Sequence, residues 1–96
     1  MMSEHVYYTI DIERRGYGKR YTALPVDQLS RTEFVIDFTG AYMRPDMIDI
    51  QAEDIVRWRE GERRLQGRVA SVERELQQLH ATISDARPIP PEEFYE

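Results

Sequence analysis

Ninety-six residues, no cysteine and a formal net charge of −5 leave room for one domain and exclude disulfides, thiolate metal sites and cysteine nucleophiles. Overall acidity disfavours a general coat for DNA, which would be basic. Charge is nevertheless uneven, with four of the thirteen cations in 14–20 and five in 57–68, so a local basic contact stays open.

Residues 5–14 alternate, with Val6, Tyr8, Ile10 and Ile12 facing one way and Tyr7, Thr9, Asp11 and Glu13 the other, which predicts a half-buried strand. Gly16-Tyr17-Gly18 is the turn, and 20–24 returns as a second strand that Pro25 ends or confines to an edge. Asp27 is placed to cap one short helical turn over 27–31. Phe34, Ile36 and Phe38 then alternate with Val35, Asp37 and Thr39, so 32–39 reads as a third strand stopped by Gly40. The first 45 residues are thus expected to form a small antiparallel β-meander whose apolar face needs a cover.

After a loop over 41–46, a helix starts either at Asp46 or near Ala52, the latter with a brief fourth strand at 47–50. Asp46, Asp49, Glu53 and Asp54 suit a helix N-terminus and lack the glycine and loop length of an EF-hand. From 55 to 83 the large apolar residues are Ile55, Trp58, Leu65, Val69, Val72, Leu76, Leu79 and Ile83, at steps of three, seven, four, three, four, three and four. This is a/d spacing with one missed position, Glu62, and it predicts a coiled-coil helix over 46–86. The fold class expected is therefore α+β. Because no second helix carries that pattern, the facing helix would come from another copy, and a homodimer joined along that eight-residue seam is expected. Gly61 and Gly67 argue against the helix, each costing about 1 kcal/mol relative to alanine in a helix interior. Residues 87–96 hold three prolines, three glutamates and two aromatics, an extended tail that resembles a docking peptide.

His5 and His80 stand far apart without carboxylate support, so neither a metal nor a cofactor is expected. Serines 3, 30, 71 and 84 lack a histidine pattern and no phosphate-cradling glycine loop is present, so the chain is not expected to be an enzyme. The sharpest candidate site is the hairpin tip, where Arg14, Arg15, Lys19 and Arg20 surround Tyr17 and offer phosphate contacts with a stacking surface. On a helix, Arg57, Arg59, Arg63, Arg64 and Arg68 would encircle the rod and read as a solvated surface. No apolar run nears the roughly 20 residues that span a bilayer, and 1–13 lacks the pattern of a signal peptide, which predicts a cytoplasmic protein without membrane contact. Two functions fit these features. One is a non-catalytic homodimeric interaction module, an accessory or inhibitory factor that binds a larger protein. The other is a small regulator that contacts nucleic-acid phosphates through Arg14, Arg15, Tyr17, Lys19 and Arg20.

Overall fold

The computed structural model describes residues 8–40 and 42–90, of which 65% lie in strands and none in an α-helix. Seven strands, β1 (Tyr8–Arg14), β2 (Gly18–Val26), β3 (Gln28–Leu29), β4 (Glu33–Asp37), β5 (Ile55–Glu60), β6 (Arg63–Arg74) and β7 (Gln78–Ile89), form one antiparallel sheet in the order β2-β1-β5-β6-β7-β4-β3. β2 and β3 occupy opposite edges, yet only Asp27 separates them along the chain. The sheet must therefore curl until its edges meet, and they do so where the Asp27 N–H donates to the Val35 carbonyl at 2.8 Å. The outcome is a curled antiparallel half-barrel.

Bulges supply the curl. The β1–β2 register slips between Ile10 and Ile12 and again before Glu13, and the β6–β7 register slips between Gln66 and Arg68 and between Val69 and Ser71. Each unpaired residue sharpens the right-handed twist of its strand. Ala23, at the first slip, has φ +55° and gives its N–H to Asp11 Oδ1 at 2.8 Å.

The concave face carries the core. Ile10 and Ile12 on β1 stand opposite Trp58 and Val56 on β5, which in turn face Leu65 and Gly67 on β6. Val69, Leu79, Ala81, Ile83 and Phe34 extend the same buried cluster. Ile48 and Ile50 enter it from the connection between β4 and β5, which crosses the open end of the sheet after a 3-10 turn at Pro45–Met47. Gly67 faces inward where the strands crowd: a Cβ there would lie 2.6 Å from Ile83 Cγ2 and 3.2 Å from the Ser84 carbonyl oxygen.

These observations correct the expected fold. The hairpin of β1 and β2 is present, with β2 on an edge and running through Pro25 to Val26. The three-stranded meander is not: β4, where the third strand was expected, pairs with β7 and β3 at the far side of the sheet, and β3 stands where a helical turn was expected. The helix over 46–86, and the coiled coil with it, is replaced by β5, β6 and β7. Period two had been hidden by three features. Gly67 occupies an inward position without registering as apolar, the slip at Ala70 shifts the inward series from Val69 to Val72, and the turns at 61–62 and 75–77 reset the count. Of the eight seam residues, Trp58, Leu65, Val69, Leu79 and Ile83 are core, Val72 packs against it, Ile55 is half-buried and Leu76 is 88% exposed in a turn.

A helix and a sheet rank two substitutions in opposite order. In the sheet, Gly67→Ala forces a methyl into Ile83 and should cost about 1–3 kcal/mol, whereas Leu76→Asp should change stability by no more than about 0.5 kcal/mol. Urea denaturation of both variants checks this; a seam helix would reward the alanine and suffer from the aspartate.

Candidate functional site

The hairpin tip was expected to present its cations to a partner; three of the four have a carboxylate partner, Arg14 largely withdrawn from solvent and Lys19 and Arg20 still exposed. Arg14, 17% exposed, lies between two aspartates. Its Nε and Nη2 donate to Asp54 at 3.0 and 3.1 Å, and its Nη1 and Nη2 donate to Asp49 at 3.0 and 3.1 Å. Such paired guanidinium–carboxylate contacts are both strong and geometrically specific. Asp54 is buried at 3% exposure and also accepts the Gln51 N–H at 2.9 Å. Arg20 donates to Asp49 as well, and Lys19 Nζ sits 3.6 Å from Asp11 Oδ2. The Asp49 N–H donates to the Tyr21 hydroxyl at 2.8 Å. Of the five tip residues, Arg15 and Tyr17 remain turned to solvent without a partner among the described residues.

The clamp positions the crossing segment from one side, and Arg74 holds it from the other. At the end of β6 its Nε donates to the Pro45 carbonyl at 3.1 Å, and its Nη2 donates to the carbonyls of Ile48 and Ile50 at 2.8 and 2.9 Å. The Pro45 and Ile48 carbonyls also accept the N–H groups of Ile48 and Ile50 at 3.3 and 3.1 Å, so Arg74 adds a second donor to each of them and a donor to the Ile50 carbonyl. Two arginines thus fix residues 45–54 over the end of the sheet.

Beside that segment the strands part. Between Leu24 and Pro25 on β2 and Ile36 and Phe38 on the β4 side lies a cleft of about 470 Å³, roofed by Tyr42, Met43 and Ile48. A second cleft of about 300 Å³ shares Phe38 and Met43 with it and reaches Leu76 in the β6–β7 turn, and a third shares Leu76 and reaches Asp46 and Glu75. Together they make one groove across the end of the sheet. Tyr42, Met43 and Leu76 stand exposed along it, with Met47 exposed on the adjoining turn. Its border is mixed: Asp27 and Asp37 line the first cleft, whereas Asp46 and Glu75 share the third with Arg74 and with Arg44, whose Nε lies 3.8 Å from Asp46. The Asp27 carboxylate accepts the Asp37 N–H at 2.6 Å, and the Asp37 carboxylate accepts the Thr39 N–H at 2.9 Å. The hydrogen bonds from Thr39 hold the Asp37 carboxyl below the usual carboxylate range.

Among the described residues no group of three His, Cys, Asp or Glu is arranged to hold a metal ion. The groove was not visible in the sequence as a site. Its one local signal was the run Tyr42-Met43 near Met47, large apolar residues in a segment that Gly40 and Pro45 mark as loop. The expected docking tail lies mostly outside the described residues.

Removing Arg14 as Arg14→Met leaves Asp54 buried beside an uncharged chain and should cost about 3–5 kcal/mol. Acid should act through the same place. Hydrogen bonds from Arg14, and then from Arg20, hold the Asp49 carboxyl below its ordinary range. A carboxyl whose folded pKa is depressed contributes stability above its unfolded pKa of about 3.9 and loses it as pH falls further. Urea midpoints from pH 6 to pH 2.5 should therefore drop below about pH 4, and less steeply in Asp49→Asn. Comparison of the chain with family models, with curated proteins and with solved structures finds no match.

Proposed function

We propose that this protein is a non-catalytic protein-binding module, an accessory or inhibitory factor whose end groove receives an apolar segment of another protein flanked by lysine or arginine. The observation that carries this reading is the groove itself: large apolar side chains exposed together along continuous clefts, bordered by Asp27 and Asp37 at one end and by Arg44, Asp46, Arg74 and Glu75 at the other. Contiguous exposed apolar surface with a polar rim is the usual mark of an interaction site. The carboxylates of Asp27 and Asp37 favour a basic residue of the partner beside the first cleft, while Arg44 offsets Asp46 at the other end. The segment beneath the groove is fixed by Arg14 and Arg74, so the surface is held in shape before a partner arrives, which lowers the ordering cost of binding.

A non-catalytic role accords with the polar chemistry of the clamp. Asp49, bound by guanidinium groups and held below its normal pKa, is a poor base. The homodimer expected from the coiled-coil seam has lost that seam, and a second copy becomes a competing occupant of the groove. No helix among the described residues is long and apolar enough to cross a membrane. A cytoplasmic location belongs to the same proposal.

Phosphate contact through the hairpin tip is the alternative function. It now depends on Arg15 and Tyr17, because Arg14, Lys19 and Arg20 have carboxylate partners. Such binding would weaken with salt and with Arg15→Glu.

The test captures partners in the presence of nuclease, purifies the one recovered and measures its affinity by calorimetry. Met43→Glu and Leu76→Glu should each weaken binding by about tenfold or more, the loss expected when an anchor contact is removed, while Arg15→Glu leaves it unchanged. Equal affinity for all variants, or a native mass showing two copies that Leu76→Glu separates, would overturn the reading.

A further inference from the structure

The first cleft has the make-up of a cavity for a small guest. Leu24 and Pro25 wall it on one side, Ile36 and Phe38 on the other, and Ile48 closes it above. Ile36, Phe38 and Ile48 belong to the buried core and Leu24 packs against it, so the walls are fixed by the fold before anything enters. The cleft's volume of about 470 Å³ falls in the range of about 300–1,000 Å³ typical of sites for small organic molecules. Such sites are lined mainly by apolar side chains with a few polar groups that fix orientation, and the mouths of curled sheets are a common place for them.

Charge selects the guest. Asp27 and Asp37 line the cleft, and no lysine, arginine or histidine does. Asp37 is exposed and takes its hydrogen bonds from the Thr39 N–H at 2.9 Å and from the side chains of Thr39 and Gln78. These donors are neutral. They favour the charged form of the carboxyl without cancelling its charge, and no ion pair among the described residues engages it. Asp49, Glu13 and Glu60, by contrast, each meet an arginine. Past Phe38 and Met43 the balance changes, because Arg44 and Arg74 stand with Asp46 and Glu75 in the third cleft. The negative field is therefore confined to the first. An anion entering there meets like charge, a neutral guest leaves Asp37 unanswered, and a cation answers it.

We infer that the first cleft is a binding site for a small organic cation, an apolar or aromatic body bearing an ammonium group, with the body between Leu24 and Phe38 and the ammonium beside Asp37. The arrangement suits both halves of such a molecule. Its body leaves water for apolar walls, while its head stays at an exposed rim, keeps part of its hydration and escapes the cost of burying a charge. This reading goes beyond the protein-binding one and bears on it. A lysine or arginine of the partner seeks the same carboxylate, so a cation in the first cleft competes with the partner at that end of the groove and leaves the Leu76 end free.

The experiment titrates the full chain, without any partner, with three compounds that share one indolyl-ethyl body: tryptamine ends in an ammonium, tryptophol in a hydroxyl and indole-3-propionate in a carboxylate. Amide chemical shifts in proton–nitrogen NMR spectra give both the site and the affinity. Tryptamine should bind with a Kd of about 1 mM or tighter at about 50 mM salt. It should bind at least about tenfold tighter than indole-3-propionate, with tryptophol between them, and the gap should narrow at about 500 mM salt. The amides of Leu24, Phe38, Thr39 and Gly40 should move, and those of Arg59 and Arg87 should not. Asp37→Asn should weaken tryptamine about threefold or more and leave tryptophol within about twofold, whereas Asp46→Asn, in the third cleft, should leave tryptamine within about twofold. A urea midpoint checks that each variant is folded, and if Asp37→Asn is not, the order of the three compounds on the unaltered chain decides. No shift with tryptamine up to about 10 mM, equal affinity for all three compounds, shifts confined to residues outside the cleft, or tryptamine bound undiminished by folded Asp37→Asn would each overturn the assignment. Failure here leaves the protein-binding reading standing, because that is measured with a captured protein partner.

Discussion

One residue ties the architecture together. Asp27 joins two strands that lie on opposite edges of a seven-stranded sheet, and its amide bonds to Val35 across the seam. A flat sheet cannot satisfy that connection, so β1 and β2, and β6 and β7, must carry the bulges that bend them. The core follows from the bend, since only a curled sheet can enclose its own concave face with no helix to cover it. The groove lies where these edges face each other, with Leu24 and Pro25 of β2 and Ile36 of β4 in its walls.

Closing the open end is an electrostatic problem as much as an apolar one. The crossing segment brings Ile48 and Ile50 into the core, and with them carbonyls and carboxylates that need partners. Arg14 satisfies two carboxylates and Arg74 satisfies three carbonyls. Breaking the Arg14 clamp would leave charge stranded in a water-poor site, which is why its contribution is larger than that of an exposed pair such as Arg31 with Glu60. Arg14 thus serves to hold the molecule together, while Lys19 and Arg20 pair with carboxylates at the surface.

In the first half of the chain the strands at 8–14 and 33–37 were legible, because Ile10 and Ile12, and Phe34 and Ile36, alternate inward; their pairing was not, since β4 joins β7 and β3 instead of β2. The second half was not, and the reason is local. A bulge at Ala70 and an inward glycine at 67 convert an alternating pattern into steps of three and four that a heptad also makes. Gly61 and Gly67 were the residues that dissented, and both have strand reasons: one takes φ +64° in a tight hairpin turn, and the other makes room for Ile83. The pairing of Arg14 with Asp49 and Asp54, thirty-five and forty residues away, leaves no trace in either local stretch.

The divergence of β2 from β4 has a consequence for colloidal behaviour. A strand edge that loses its neighbour partway along is a template for foreign strands, and natural sheets guard such places with charge. Here the guard is built into the backbone pattern: carboxylates of Asp27 and Asp37 sit on the amides that an invading strand would need. The hydrogen bonds from Thr39 hold the Asp37 carboxyl below the usual carboxylate range, so this guard keeps its charge at lower pH than a free aspartate would, while the apolar walls stay open to a fitting guest.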